Sequence, residues 1–124
     1  MAQLLENSTV GGVKIMTVSG DELQDYTESM HETSGAIDLS RGNVFVDTPT
    51  ANRTYSITGA KSNVAHSFTL QINMTTARTL SFPNSVKWQG GEIPDLTEPN
   101  KTYVITFMTT EGGATWLGMS GGEF

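Results

Sequence analysis

The chain has 124 residues, a formal net charge of −6 and no cysteine. This length suits one domain with a single core, and the absence of thiols excludes disulfides, thiolate metal sites and a cysteine nucleophile. Thirteen acidic residues against seven Lys and Arg argue against nucleic-acid binding, and two histidines argue against a histidine-rich metal site.

Residues 1–35 differ from the rest of the chain in charge and in pattern. They carry six acids against Lys14, a net charge of −5, whereas residues 36–124 sum to −1. Ser19 to Glu22 has the spacing of a capping box, which predicts at most one short helix over about 21–31. Three apolar residues at helical intervals cannot stabilise that helix alone. We therefore expect residues 1–35 to form an extended N-terminal attachment arm that packs against another surface.

Neither a membrane span nor a secretion signal is predicted. No apolar run reaches the roughly 18 residues that indicate a transmembrane helix. The first 20 residues also lack the basic and apolar regions of a signal peptide. We expect no membrane insertion.

From residue 36 onward the pattern changes to the two-residue period of half-buried strands. The clearest case is His66 to Met74, where four apolar residues alternate with polar ones. Further short strands are predicted around residues 43–47, 54–58, 79–82, 86–88, 103–108 and 114–119, with turn residues between them. Short strands at this spacing predict an all-β fold, a small antiparallel sandwich or barrel. Because residues 36–124 hold few aliphatic side chains, we also expect this unit to oligomerise.

No constellation for catalysis emerges from the sequence. His66 and Ser67 are neighbours on a predicted strand, so their side chains point to opposite faces. Four acidic residues that could form a carboxylate pair each lie in or beside a turn, namely Asp47, Glu92, Asp95 and Glu111. The acidic run before residue 35 lacks the spacing of a calcium loop, and the glycine pairs form no phosphate-binding pattern. We expect no enzyme activity, no catalytic or metal-binding residue and no cofactor.

The stretch from Thr79 to Trp88, followed by Gly90-Gly91 and Pro94, fits the pattern T-[VIL]-x-[FW]-P-x-x-V-x-W. This pattern resembles a segment of a β module found in tailed-bacteriophage fibre and virion surface proteins. The stretches 100–107 and 111–118 are similar to its later strand and its closing D-G-G-x-x-W-x-G hairpin, and 37–45 resembles its opening strands. The resemblance covers about residues 36–124, and it implies a β-rich knob, usually trimeric, on the outside of a virion.

Two domains follow from this resemblance and from the charge break, an arm over 1–35 and a knob over 36–124. In a small domain, tryptophans serve more often as core or subunit-interface anchors than as sugar-stacking surfaces. We expect that role for four aromatic residues of the knob, Phe82, Trp88, Phe107 and Trp116.

The short length favours a capsid decoration (cement) protein or a short head fibre, because a tail fibre normally needs a long shaft. In this interpretation the arm binds the major capsid protein, or another virion protein, and the knob forms a homotrimer. The expected location is the outer surface of the virion, and the host cytoplasm during assembly. The arm residues expected to anchor the protein to the capsid are Leu4, Leu5, Val10, Val13, Ile15, Leu23 and Tyr26.

The alternative is a tail-fibre or head-fibre adhesin that binds cell-surface carbohydrate. That hypothesis predicts an open aromatic side chain beside Asn and Asp residues, with Trp88, Tyr55 and Tyr103 as the candidates. A glycan-degrading enzyme is the least favoured of the three functions.

Overall fold

The computed structural model describes residues 28–124, together with the backbone of two short strands that precede them. Those two strands, β1 (Thr9–Val10) and β2 (Val13–Lys14), pair antiparallel. The remaining strands are β3 (Met30–Glu32), β4 (Ala36–Asp38), β5 (Val44–Asp47), β6 (Arg53–Thr54), β7 (Ser56–Thr58), β8 (His66–Met74), β9 (Leu80–Ser81), β10 (Val86–Trp88), β11 (Lys101–Thr109) and β12 (Trp116–Glu123). A 3₁₀ turn, Gln89–Gly91, follows β10. The all-β class predicted from the sequence is confirmed.

Six of these strands form one mixed sheet in the order β10-β12-β11-β8-β5-β3. Its centre is antiparallel: β11 pairs with β8 over nine residues, from Lys101 opposite Met74 to Thr109 opposite His66. Its two sides are parallel, with β10 beside β12 on one side and β5 and β3 beside β8 on the other. The sheet is therefore mixed, where the sequence predicted an antiparallel one.

A smaller second layer explains why β3, β5 and β8 are parallel. There β4 lies parallel to β7, and β6 lies parallel to β9, so the nearly continuous segment 53–58 joins the two pairs. The chain passes from β3 to β4, back to β5, across to β6 and β7, and back to β8. Because each return crosses over the second layer, successive strands of the large sheet run in the same direction. Turn residues between predicted strands do not distinguish such a crossover from a hairpin.

The core lies between the two layers. Along β8 the apolar residues Phe68, Leu70, Ile72 and Met74 are each at most 1% exposed, while the residues between them are only partly buried. The second layer contributes Ile37 and Tyr55 to the same cluster. This alternation is the predicted two-residue period, and β8 has the bounds that the sequence predicted.

The large sheet begins within the segment assigned to the arm. Met30, His31 and Glu32 pair in parallel with Val44, Phe45 and Val46. The end of the predicted short helix is therefore a strand, because a neighbouring strand supplies backbone partners that a three-residue apolar stripe could not replace. The rest of that helix lies outside the described residues.

The proposed capsid anchors also fall outside what the structure describes. Leu4, Leu5, Ile15, Leu23 and Tyr26 lie outside the described residues, and for Val10 and Val13 only the backbone is described. In the described part of the chain, no helix has the length and apolar character needed to cross a membrane.

Candidate functional site

The four aromatic residues singled out from the sequence pack into the core or against it. Trp116 and Phe107 are 2% and 0% exposed, and Phe82 and Trp88 pack against the buried cluster. The Phe82 ring meets the Trp88 ring edge-on, with 5.0 Å between centroids, and Trp88 meets Phe107 at 5.6 Å. Phe68 bridges this group to Trp116, since its ring lies 4.7 Å from Phe107 and 5.2 Å from Trp116. Edge-to-face and offset ring pairs at these distances contribute more to the free energy of unfolding than their buried area alone would give.

Two glycines make this packing possible. Gly113 lies in the β11–β12 turn at φ +88°, and a Cβ there would be 3.1 Å from Cβ of Ala60. On β12, a Cβ at Gly118 would lie 2.8 Å from Cε3 of Trp88, so the bare backbone gives the indole room to approach the strand. The resemblance motif thus contains both the aromatic rings and the glycines that admit them.

A groove of about 380 Å³ opens beside Trp88, between β12 and the loop that follows β10. The residues that line it are Trp88, Gln89, Glu92, Ile93, Pro94, Asp95, Gly118 and Ser120. Its wall therefore includes one aromatic ring and an isoleucine that is 62% exposed, while its polar groups are an amide, a hydroxyl and two carboxyls. No Lys or Arg is among these lining residues, all of which lie in the described part of the chain. This combination suits an uncharged, hydroxyl-rich ligand better than an anion.

Asp95 holds a fixed position at the groove rim. Its Oδ1 accepts hydrogen bonds from the Thr97 hydroxyl at 2.6 Å and from the Thr97 amide at 3.1 Å. These two bonds, the side-chain one above all, lower the pKa of the Asp95 carboxyl from its ordinary value of 3.8. The group is therefore an ionised acceptor at neutral pH.

A second polar cluster lies between the two layers. Asp47 on β5 is 1% exposed, and its carboxylate accepts hydrogen bonds from Arg53 Nε at 3.1 Å and from the Tyr55 hydroxyl at 2.7 Å. Burial, together with the bond to Asp47, raises the pKa of the Tyr55 hydroxyl well above its usual range. The cluster joins the large sheet to the second layer, and every charge in it is paired. The cluster therefore has a structural role, and we call Asp47, Arg53 and Tyr55 the Asp47 tie.

The other candidate residues do not assemble a catalytic centre. His66 is half-buried and Ser67 is exposed, on opposite sides of β8, as the alternation predicts. Of the four acids considered for a carboxylate pair, Asp47 is in the buried tie, Glu92 and Asp95 line the groove, and Glu111 lies near Lys87 on another surface. Among the described residues, no group of three or more His, Asp or Glu side chains is arranged to hold a metal ion.

The tyrosines do not provide the open aromatic surface that the adhesin hypothesis allowed for them. Tyr55 and Tyr103 are each 2% exposed, and the Tyr103 hydroxyl accepts a hydrogen bond from the Glu98 amide at 3.1 Å. Both phenol rings belong to the core cluster. Trp88 is the candidate that borders an open groove.

Sequence reasoning missed the Asp47 tie and the groove loop. Asp47 and Arg53 are six residues apart on strands of different layers, so no local period brings them together. Gln89 and Glu92 follow Trp88 closely in the sequence, and this mixture of polar groups beside a motif tryptophan was the available signal.

Comparisons of the chain with protein-family models, with curated proteins and with solved structures gave no match.

Proposed function

We propose that the chain is a non-enzymatic structural protein of the outer surface of a tailed-bacteriophage virion, a capsid decoration protein or a short head fibre. Its N-terminal arm binds the capsid and its β domain associates into a homotrimer. The observation that carries this proposal is the aromatic cluster, because the motif on which the phage resemblance rests is used for packing. Motif residues that pack in the core support a structural role for the module.

The mechanism follows from mass action. A protein that binds the assembled shell and not its separate subunits stabilises the shell by its binding free energy. An extended arm suits this task because it spans a large surface, although ordering it on the capsid costs conformational entropy. Because the folded β domain is continuous with the arm, it stays on the capsid for as long as the arm is bound.

The test is co-sedimentation of the purified chain with capsids that lack it. We expect saturable binding, and we expect the variant Leu4→Asp/Leu5→Asp to bind at least about tenfold more weakly, a loss of about 1.4 kcal/mol. The control Gln3→Asp/Asn7→Asp adds the same charge nearby and keeps both leucines. A chain that ignores capsids, or a control that loses binding equally, would contradict the anchoring role.

The adhesin remains the second candidate, and the groove beside Trp88 favours it. Planar indole, carboxylate and amide groups around one opening are the groups that recognise neutral sugars. The test is a glycan array with Asp95→Ala, and Asp38→Ala is a matched control. Asp38 holds an equivalent turn, accepting hydrogen bonds from Ser40 at 2.7 and 3.0 Å, but it does not line the groove. Glycan binding that Asp95→Ala removes and Asp38→Ala keeps supports the adhesin, and an array with no binding excludes it.

A further inference from the structure

The outward side of the six-stranded sheet is rich in apolar side chains. We define this outer face by the outward residues of the six strands: Met30, Glu32, Val44, Val46, Ser67, Thr69, Gln71, Asn73, Lys87, Thr102, Val104, Thr106, Met108, Leu117 and Met119. Met30, Leu117 and Met119 are 57%, 48% and 37% exposed. A sheet that faces water on one side normally presents polar residues there, so this composition needs an explanation.

The apolar residues of the outer face stand in register. Across the sheet, Met30 lies opposite Val44, which lies opposite Thr69; on the next strands Thr106 lies opposite Met119. A neighbouring row pairs Met108 with Leu117. The apolar side chains are therefore spread across the width of the sheet and are separated only by hydroxyl and amide groups.

The centre of the outer face carries no charge. None of its residues on β5, β8, β11 and β12 is acidic or basic, and all of them belong to the described part of the chain. The amides that lie there bond to each other, since Gln71 donates to Asn73 at 3.0 Å and the Thr102 hydroxyl donates to the same oxygen at 3.3 Å. Covering this surface would strand few unpaired polar groups.

Strand β12 has its large side chains on the solvent side. After Trp116, its inward positions are Gly118 and Ser120, whereas its outward positions are Leu117 and Met119. Gly118 is small because the Trp88 indole packs over it, whereas Leu117 and Met119 are 48% and 37% exposed. The outward side of β12 is therefore built for contact with another surface.

We propose that the outer face is a self-association surface and that its occupant is a second copy of this chain. The proposal rests on the proposed function, whose trimer requires contact between β domains, and it names the surface that makes the contact. Charge favours a second copy as the occupant. The two charged residues of the face, Glu32 on β3 and Lys87 on β10, have opposite signs and lie at opposite edges, and the uncharged centre lets two copies that each carry −6 meet without bringing acids together.

The area is sufficient for such contact. Six strands about 4.8 Å apart, with side-chain rows covering about 20 Å along them, give on the order of 500 Å² per copy. Around the threefold axis of a trimer, three such faces bury on the order of 1,500 Å² in total, above the roughly 1,000 Å² that a specific interface needs.

The test uses cysteine labelling, because the full chain contains no cysteine and any introduced thiol is unique. Met119→Cys reports on the outer face, and Val64→Cys is the control, since Val64 is 45% exposed and lies outside the face. We expect labelling of Met119→Cys to slow about tenfold or more when protein concentration rises about a hundredfold, as mass action requires for contact between copies. Labelling of Val64→Cys should not change.

A charged variant gives the second measurement. Sedimentation velocity of the wild type should show a multiple of 13.4 kDa, whereas Leu117→Lys/Met119→Lys should sediment as a folded monomer with an unchanged circular dichroism spectrum. The control Val64→Lys should keep the wild-type mass.

Three results would overturn the inference. The first is a monomeric wild type in which Met119→Cys is labelled freely. The second is protection of Met119→Cys that does not depend on protein concentration. The third is that Leu117→Lys/Met119→Lys keeps the mass of the assembled wild type. The second would mean that another segment of the same chain covers the face. Capsid binding separates these failures from the proposed capsid role. A monomer that binds capsids contradicts the interface and the trimer but keeps the capsid role, and an assembled chain that does not bind capsids contradicts the capsid role alone.

Discussion

The two layers of this protein have the same inward chemistry and opposite outward chemistry. The outward residues of the second layer are small or polar, and all but the half-buried Asp38 are exposed: Ala36, Asp38, Thr54, Ser56, Thr58 and Ser81. The outer face of the large sheet has polar residues along β8 but carries Val, Met and Leu on the strands to either side. With eighteen threonines and eleven serines in the chain, hydroxyl residues are plentiful. The contrast therefore separates a surface suited to water from one suited to protein contact.

The largest expected effect is the difference in stability cost between an inward and an outward residue of β12. Trp116→Ala should lower the free energy of unfolding by about 3–5 kcal/mol, because it leaves a cavity in the aromatic core. Its neighbour Leu117→Ala should change that free energy by no more than about 0.5 kcal/mol, since Leu117 is 48% exposed in one copy. Urea unfolding at low protein concentration measures both. Equal costs at the two positions would contradict the assignment of faces.

A smaller effect concerns the tie between the layers. Asp47→Ala should destabilise the protein by about 3 kcal/mol, because it leaves the Arg53 guanidinium and the Tyr55 hydroxyl without their partner in a buried position. The double variant Asp47→Ala/Arg53→Met removes the stranded charge and should recover part of the loss. Thermal unfolding of the two variants checks this, and a single variant as stable as the wild type would show that the layers hold together without the tie.

The inward side of β12 gives a test of intermediate size. Gly118→Ala should cost about 1–3 kcal/mol, because the added Cβ would lie 2.8 and 2.9 Å from two carbons of the Trp88 ring and must displace it. The displacement should also change tryptophan fluorescence. A variant with unaltered stability and emission would mean that the indole is not fixed against the strand.

The smallest effect is a pH dependence in the second layer. The Ser40 hydroxyl and amide lower the pKa of the Asp38 carboxyl from its ordinary value of 3.8, so ionised Asp38 stabilises the folded state. That contribution is complete above the ordinary value and is lost as the pH falls through the lowered one. The Tm difference between the wild type and Asp38→Asn should therefore be small at neutral pH and shrink on acidification. A difference that grows as the pH falls would contradict the assignment.

The sequence by itself determined the class of fold and the positions that face the core. The alternation over His66 to Met74 gave β8 its bounds, because a two-residue period is a local property of a half-buried strand. The small size of the domain likewise predicted core or subunit-interface roles for Phe107 and Trp116, which are 0% and 2% exposed.

Only the tertiary structure decided which strands are neighbours. The crossovers that make β3, β5 and β8 parallel, the contact of Asp47 with Arg53 and the groove beside Trp88 all join residues from different layers or loops. The same holds for the outer face. Leu117 and Met119 can be recognised as outward from their strand alone, but their alignment with Met108, Thr106 and the strands beyond depends on a register that long-range pairing sets. The local two-residue period determines which side of the strand a side chain faces, and the packing of distant segments determines which residues it contacts.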